Sequence, residues 1–221
     1  MTAYMRNQFP FLGVKAPGQK AAVRGALAAA GPPVDESEVV AAIDGLWARP
    51  EREYRYSGCH LAGRFAAMAS PAMVTYAARW ITTDPWWDTC DPLARSCVGQ
   101  VVRRHPTLRS TMDRWLAADN LWLTRSALIH MGKWKDAIDR DWVFSACLAR
   151  AGESDFFIRK AVGWILGTWL GSIPRPLSPS SRARVLWCCP GSRNGRRSRT
   201  SAGPAAQARQ PRRQPRKLRP T

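Results

Sequence analysis

The sequence lacks any cysteine or histidine pattern suited to a metal or a disulfide framework. Its six cysteines, at 59, 90, 97, 147, 188 and 189, include no Cys-x-x-Cys pair, and its three histidines stand apart at 60, 105 and 130. A structural zinc site needs thiolate or imidazole ligands clustered at short spacings, so no metal is expected. A secretory signal is also missing, because residues 1–10 show no apolar run behind a basic start. The longest charge-free apolar run, 161–174, falls short of the roughly 20 residues that span a bilayer. These absences exclude a secreted disulfide scaffold and a membrane protein, and the expectation is a soluble, cytoplasmic chain.

Acidic residues are scarce. The chain has 16 Asp and Glu against 34 Lys and Arg, for a net charge of +18. None of the acids lies beyond residue 170, whereas 171–221 holds thirteen Arg or Lys and eight prolines. Residues 1–170 keep 21 basic against 16 acidic residues, so most of the excess charge belongs to the tail. Such a segment cannot bury enough apolar surface to offset its conformational entropy, and disorder is expected for 171–221. One reading makes it a nucleic-acid-binding arm. A second follows from its composition: Arg, Pro, Ser, Gly and Ala together are what a GC-rich gene yields out of frame, with the shift near codons 166–171.

Period-2 alternation is absent too, which excludes a strand-built core, and helical periodicity takes its place. Asp35 followed by Glu38 fits a capping box, and Val39, Ile43, Leu46 and Trp47 then repeat on one face. A second helix is predicted over 51–68, and Ser70-Pro71 marks the start of a third with Val74, Ala77, Trp80 and Ile81 inward. A longer helix is predicted over about 87–105, with Leu93, Cys97, Val98, Val101 and Val102 inward. A short element around Met112, Trp115 and Leu116 follows, then helices over 120–130 with Asp119 as cap, 139–151 and 154–170. The helices come in antiparallel pairs about every 35–40 residues, the spacing of HEAT-like repeats. The fold class expected is all-α, a right-handed α-solenoid of HEAT-like pairs over 1–170 with a concave surface; an irregular helical bundle is the alternative.

Aromatics are plentiful, with eleven Trp, and they meet acids in Trp86-Trp87-Asp88-Thr89-Cys90-Asp91. A carboxylate flanked by indole faces suits a cationic or electron-poor ring, and a basic surface around it suits a polyanion. Trp86 reads as core rather than site. One of the two acids is expected to cap or salt-bridge its helix, and the spacing leaves open which one. Trp47, Trp80, Trp115, Trp134 and Trp142 read as packing residues.

Four segments in one order, Met5–Val14, Trp86–Asp91, Asp119–Leu123 and Phe156–Trp164, resemble the DNA alkylation repair enzymes, the AlkD-like glycosylases built from HEAT-like repeats. The likeness covers roughly residues 4–166. It implies excision of N3- or N7-alkylated purines from duplex DNA by a monomer that needs no cofactor. It also implies a catalytic Asp91, a cleft of Trp87, Trp164, Tyr4 and Arg125, and phosphate contacts by Arg103, Arg104 and Arg159. The Arg103-Arg104 pair reads equally as a solvated helix face.

The chain departs from the resembled pattern in four places. Pro92 follows the acid at once, so the helix is expected to start near Asp88 or Thr89, or to kink. Thr124 stands where a second Arg is usual, and Gly167-Thr168-Trp169 replaces Arg-Glu-Tyr. The amino end starts inside the first helical pair.

Two other functions compete with the glycosylase. One is a non-catalytic helical-repeat scaffold that binds DNA or protein, and the other is a nonspecific nucleic-acid module made by the tail. Translating the gene in its other two frames beyond codon 166 is expected to give a charged, acid-containing helical continuation. Two frames without one reject the frameshift.

Overall fold

The computed structural model describes residues 1–171; the expectations for the tail from 172 onward lie outside the described residues. Among the described residues every regular element is helical: α1 (Ala16–Ala30), α2 (Glu36–Trp47), α3 (Arg52–Phe65), α4 (Met73–Thr82) and α5 (Trp87–Pro92), then α6 (Gly99–Arg104), α7 (Arg109–Leu116), α8 (Leu121–Ile129), α9 (Arg140–Ala149) and α10 (Phe156–Gly171). A π-helical turn, Leu93–Val98, carries α5 into α6.

Local chemistry fixes most of the starts. Asp35 accepts the Glu38 amide while Glu38 accepts the Val34 amide, a reciprocal cap that satisfies two orphan donors. Asp139 caps α9 through the Trp142 amide. Two caps lie one residue later than the sequence suggests. Asn120, not Asp119, accepts the Trp122 and Leu123 amides, and Asp155 receives those of Phe157 and Ile158. Asn120 has the extended backbone of a cap, which brings its side-chain oxygen level with the first free N–H groups.

Pro92 corrects one expectation. The helix begins at Trp87 and neither starts later nor breaks. Proline there cannot donate to the carbonyl four residues back, and the π turn follows immediately, with the Gly99 amide reaching back to Ala94. The looser turn accommodates the missing bond, as π segments do where a helix is interrupted.

The helices stack as an α-solenoid. In each pair the second helix joins a continuous row, so that α3, the π turn, α8 and α10 pack in succession. The middle of that row is enclosed: Cys90, Leu93, Ala94, Cys97, Val98 and Val101 have no exposed surface. Polar contacts between repeats recur at one repeat length. The Trp80 indole donates to Asp44 at 2.7 Å, the Trp134 indole to the Gly99 carbonyl at 3.0 Å, and Arg95 to the Gly132 carbonyl at 3.1 Å. Each repeat thus bonds mainly to its neighbour, as in a one-dimensional stack.

Residues 1–14 form an irregular strap fastened to α3. The Glu53 carboxylate accepts the amides of Leu12, Gly13 and Val14, and the Arg52 amide donates to the Pro10 carbonyl. Gly13 bends back at φ +84°, a conformation that L side chains resist.

Two packing features generate tests. A Cβ on Gly99 would meet the His130 carbonyl at 2.1 Å, so the two helices approach through bare backbone. Gly99→Ala is expected to cost about 2–3 kcal/mol through overpacking, whereas Gly45→Ala, with nothing within 4 Å, gains about 0.5–1 kcal/mol. Denaturant melts of the two variants compare them directly. His130 is fully buried between the edges of Trp134 and Trp142, with Nδ1 2.6 Å from the Ala127 carbonyl and Nε2 unpartnered. Burial lowers its pKa from 6.5 to about 4. The fold therefore keeps this imidazole neutral, and its contribution is complete above pH 6.5. About 3 kcal/mol is lost as pH falls from 6.5 towards 4. His130→Asn is expected to flatten that slope in pH-dependent melts, and an unchanged slope removes His130 as the cause.

Candidate active site

The Trp86–Asp91 segment is held in place from both neighbouring repeats. Arg52, with no exposed surface, clasps Asp88 through Nε at 3.0 Å and Nη2 at 2.6 Å. The same guanidinium reaches the Asp84 carbonyl and the Thr89 hydroxyl, and lies 3.8 Å from the Phe9 ring centre. Tyr56 donates its hydroxyl to Asp88 at 2.6 Å; burial and that carboxylate push the phenol well above its usual range. Three donor contacts thus hold Asp88, which salt-bridges α5 to α3.

Asp91 lies about one turn further along α5 and takes its partner from α8 rather than α3. It lines a cleft of about 490 Å³ together with Tyr4, Arg6, Trp86, Trp87, Arg125, Phe156, Phe157, Lys160 and Trp164. Arg125 on α8 holds both of its oxygens, Nε to Oδ1 and Nη2 to Oδ2, each at 2.8 Å. The third arm of the guanidinium donates to the Phe157 carbonyl at 2.6 Å. Burial raises the Asp91 pKa, and the Arg125 hydrogen bonds and charge oppose it. The carboxylate is therefore desolvated, with Arg125 first and Arg95 second opposing the upward shift that burial imposes.

The walls are aromatic. Tyr4, 74% exposed, meets Trp87 edge to face at 6.0 Å. Trp86, Trp122 and Phe157 form a three-ring cluster with centroids 5.0–5.7 Å apart. They occupy equivalent positions at the starts of α5, α8 and α10, so the repeat itself brings them together. Trp164 on α10 has one face covered by the Arg95 guanidinium, 4.4 Å from its ring centre.

The structure brings Asp91, Trp87, Trp164, Tyr4 and Arg125 into one cleft; the three arginines expected to meet phosphates are not among its lining. Arg104 turns one guanidinium nitrogen to the Ala66 and Ala69 carbonyls just beyond α3. Arg103 and Arg159 are exposed on α6 and α10 and do not line the cleft. Sequence reasoning missed Arg6, Phe156, Phe157 and Lys160, and it assigned Trp86 to the core alone, although that ring both packs and lines the cleft. The helical offset of 35–36 residues between Trp86, Trp122 and Phe157 is the signal that would have found the cluster. Thr124 is buried, with its hydroxyl within hydrogen-bonding reach of the Trp115, Ala118 and Asn120 carbonyls; its side chain faces the preceding loop, away from any phosphate.

Among the described residues no group of His, Cys, Asp or Glu could hold a metal, and no helix is long and apolar enough to cross a membrane. Among the described residues, Cys59, Cys90, Cys97 and Cys147 are buried.

No curated protein matches the chain. Among solved structures, a predicted DNA alkylation repair enzyme from Enterococcus faecalis is similar at 27% identity with a TM-score of 0.71, covering 84% of this chain and 91% of that one. The family model described as DNA alkylation repair enzyme matches residues 1–169. With most of its length matched and a related fold around an acid-and-indole cleft, the chain belongs to the DNA alkylation repair enzyme family.

Proposed function

We propose that the chain is a DNA glycosylase that hydrolyses the N-glycosidic bond of cationic N3- or N7-alkylated purines in duplex DNA. The observation that carries this reading is Asp91: a buried carboxyl group, paired with Arg125, in a cleft walled by indoles.

The chemistry needs little more. An alkylated purine already bears positive charge, so the electron pair of the breaking C1′–N bond neutralises the departing base without an added proton. Positive charge passes to the sugar as an oxocarbenium-like transition state. A desolvated carboxylate stabilises that charge far better than one in water, and it can accept the proton of the attacking water. Trp87 and Trp164 offer ring faces to a cationic base or sugar, worth about 0.5–2 kcal/mol per contact. Arg125 is a positioning residue, fixing both oxygens of Asp91 and opposing the effect of burial on its charge.

A scaffold without chemistry is the second reading, favoured by one observation: both Asp91 oxygens already have a partner.

Release of free base from N7-methylguanine duplex separates the two. Asp91→Asn is expected to lose about 10²–10³-fold in single-turnover rate per folded molecule, and also to lower the melt, because it leaves buried Arg125 without its carboxylate. Asp88→Asn is expected to lose stability without that loss of rate. It strands the buried Arg52 and costs about 3–5 kcal/mol of stability, while the rate per folded molecule persists at low temperature. The sign of the pH dependence follows from the raised Asp91 pKa: activity is full above it and falls as pH drops through it. Arg125→Gln moves that acid limb to higher pH, because burial is then opposed only by the charge of Arg95. Base release by Asp91→Asn at the rate of the unmodified chain rejects the mechanism, and no release from any form favours the scaffold.

A further inference from the structure

A second concentration of cations lies beside the cleft. Arg95 and Ser96 stand on the π turn, Lys133 follows α8, Lys20 is on α1 and His60 is on α3. Lys133 donates to the Ser96 hydroxyl at 2.6 Å. Arg95 donates to the Gly132 carbonyl at 3.1 Å while its plane covers Trp164. A Cβ on Gly63 would stand 3.1 Å from that of Ser96, so α3 and the π turn pack closely beneath the Ser96 hydroxyl.

The charges of this cluster act on one another. Burial, then Arg95 and Lys20, hold the Lys133 ammonium below the usual lysine range. Burial and Lys20 do the same to His60. Among the described residues none of Lys20, Arg95 and Lys133 takes part in an ion pair, unlike Arg52, Arg55, Arg79, Arg109, Arg125 and Arg150. Like charges gathered from three separate segments beside the Ser96 hydroxyl repel one another, Asp91 offsetting part of the repulsion at Arg95, and an added anion lowers it further. A phosphodiester matches that need, since it accepts from ammonium, guanidinium and hydroxyl donors at once.

We propose that Lys20, Arg95 and Lys133 form a seat for a backbone phosphate of duplex DNA, placed next to the lesion cleft. The proposal rests on the glycosylase reading only for the identity of the polyanion. Arg95 links the two sites, because one guanidinium serves the seat and backs the Trp164 wall. A phosphate bound here sets the register of the duplex against the cleft without reading sequence.

The test is the salt dependence of affinity for an unmodified, fluorescently labelled duplex, measured by anisotropy with the full chain. Lys133→Ala and Lys20→Ala are each expected to lower the slope of log affinity against log salt by about one. Arg114→Ala, which removes the same charge from α7, where Arg114 bonds to Thr111, leaves the slope unchanged. Melting curves guard against misfolding, which lowers the binding amplitude and leaves the slope alone. Slopes of Lys133→Ala and Lys20→Ala equal to that of Arg114→Ala overturn the seat. The assay needs no base release, so a changed slope in an inactive enzyme keeps the seat and rejects the glycosylase. A wild-type chain without salt-dependent duplex affinity rejects both.

Discussion

A guanidinium with no exposed surface must be paired within the protein, and Arg52 meets that constraint by clasping Asp88 across a repeat boundary. An unpaired charge in that position would cost several kcal/mol, so the start of α5 has one available placement relative to α3. The rest of the site inherits it. Once Asp88 is fixed towards α3, the next acid along the helix points towards α8, where Arg125 is waiting. Two acids three residues apart thereby acquire opposite duties: one holds the helix, and the other faces the cleft.

The cleft is a product of repetition. Trp86, Trp122 and Phe157 open successive second helices, and stacking at one repeat length brings their rings within 5.0–5.7 Å. Similar positions filled by different aromatics give a shared wall even though the pairs have little sequence in common. The strap of residues 1–14 supplies the opposite side, with Tyr4 against Trp87 and Arg6 over Trp86 at 6.0 Å.

Pairing and the inward faces were legible because a 3.6-residue period survives in single-residue detail: Leu93, Cys97, Val98 and Val101 are all enclosed, whereas α1, which buries only Gln19, carries no such stripe and was not legible. The Trp86–Asp91 run was legible as a site because acids seldom sit between indoles without a purpose. Directions were not legible. Nothing in the local sequence says that Arg104 bends back to the end of α3, or that a π turn follows Pro92. Arg6, Phe157 and Lys160 escaped for a related reason, since the cleft draws on four segments far apart in the chain and no local pattern marks their meeting. The division of duties between Asp88 and Asp91 depends on partners 36 and 34 residues away.

The attachment of the strap has a kinetic corollary. Three consecutive amides, those of Leu12, Gly13 and Val14, converge on the single side chain of Glu53, and α3 must already be wound before that carboxylate is in position. The strap thus docks after the helix that receives it. It can also peel away as a small cooperative unit of its own, because few bonds secure it compared with the enclosed row behind. One side of the cleft is thus tied to the body by these amides, the Arg52–Pro10 hydrogen bond and the Phe9 ring against Arg52, so it can swing open without any repeat melting.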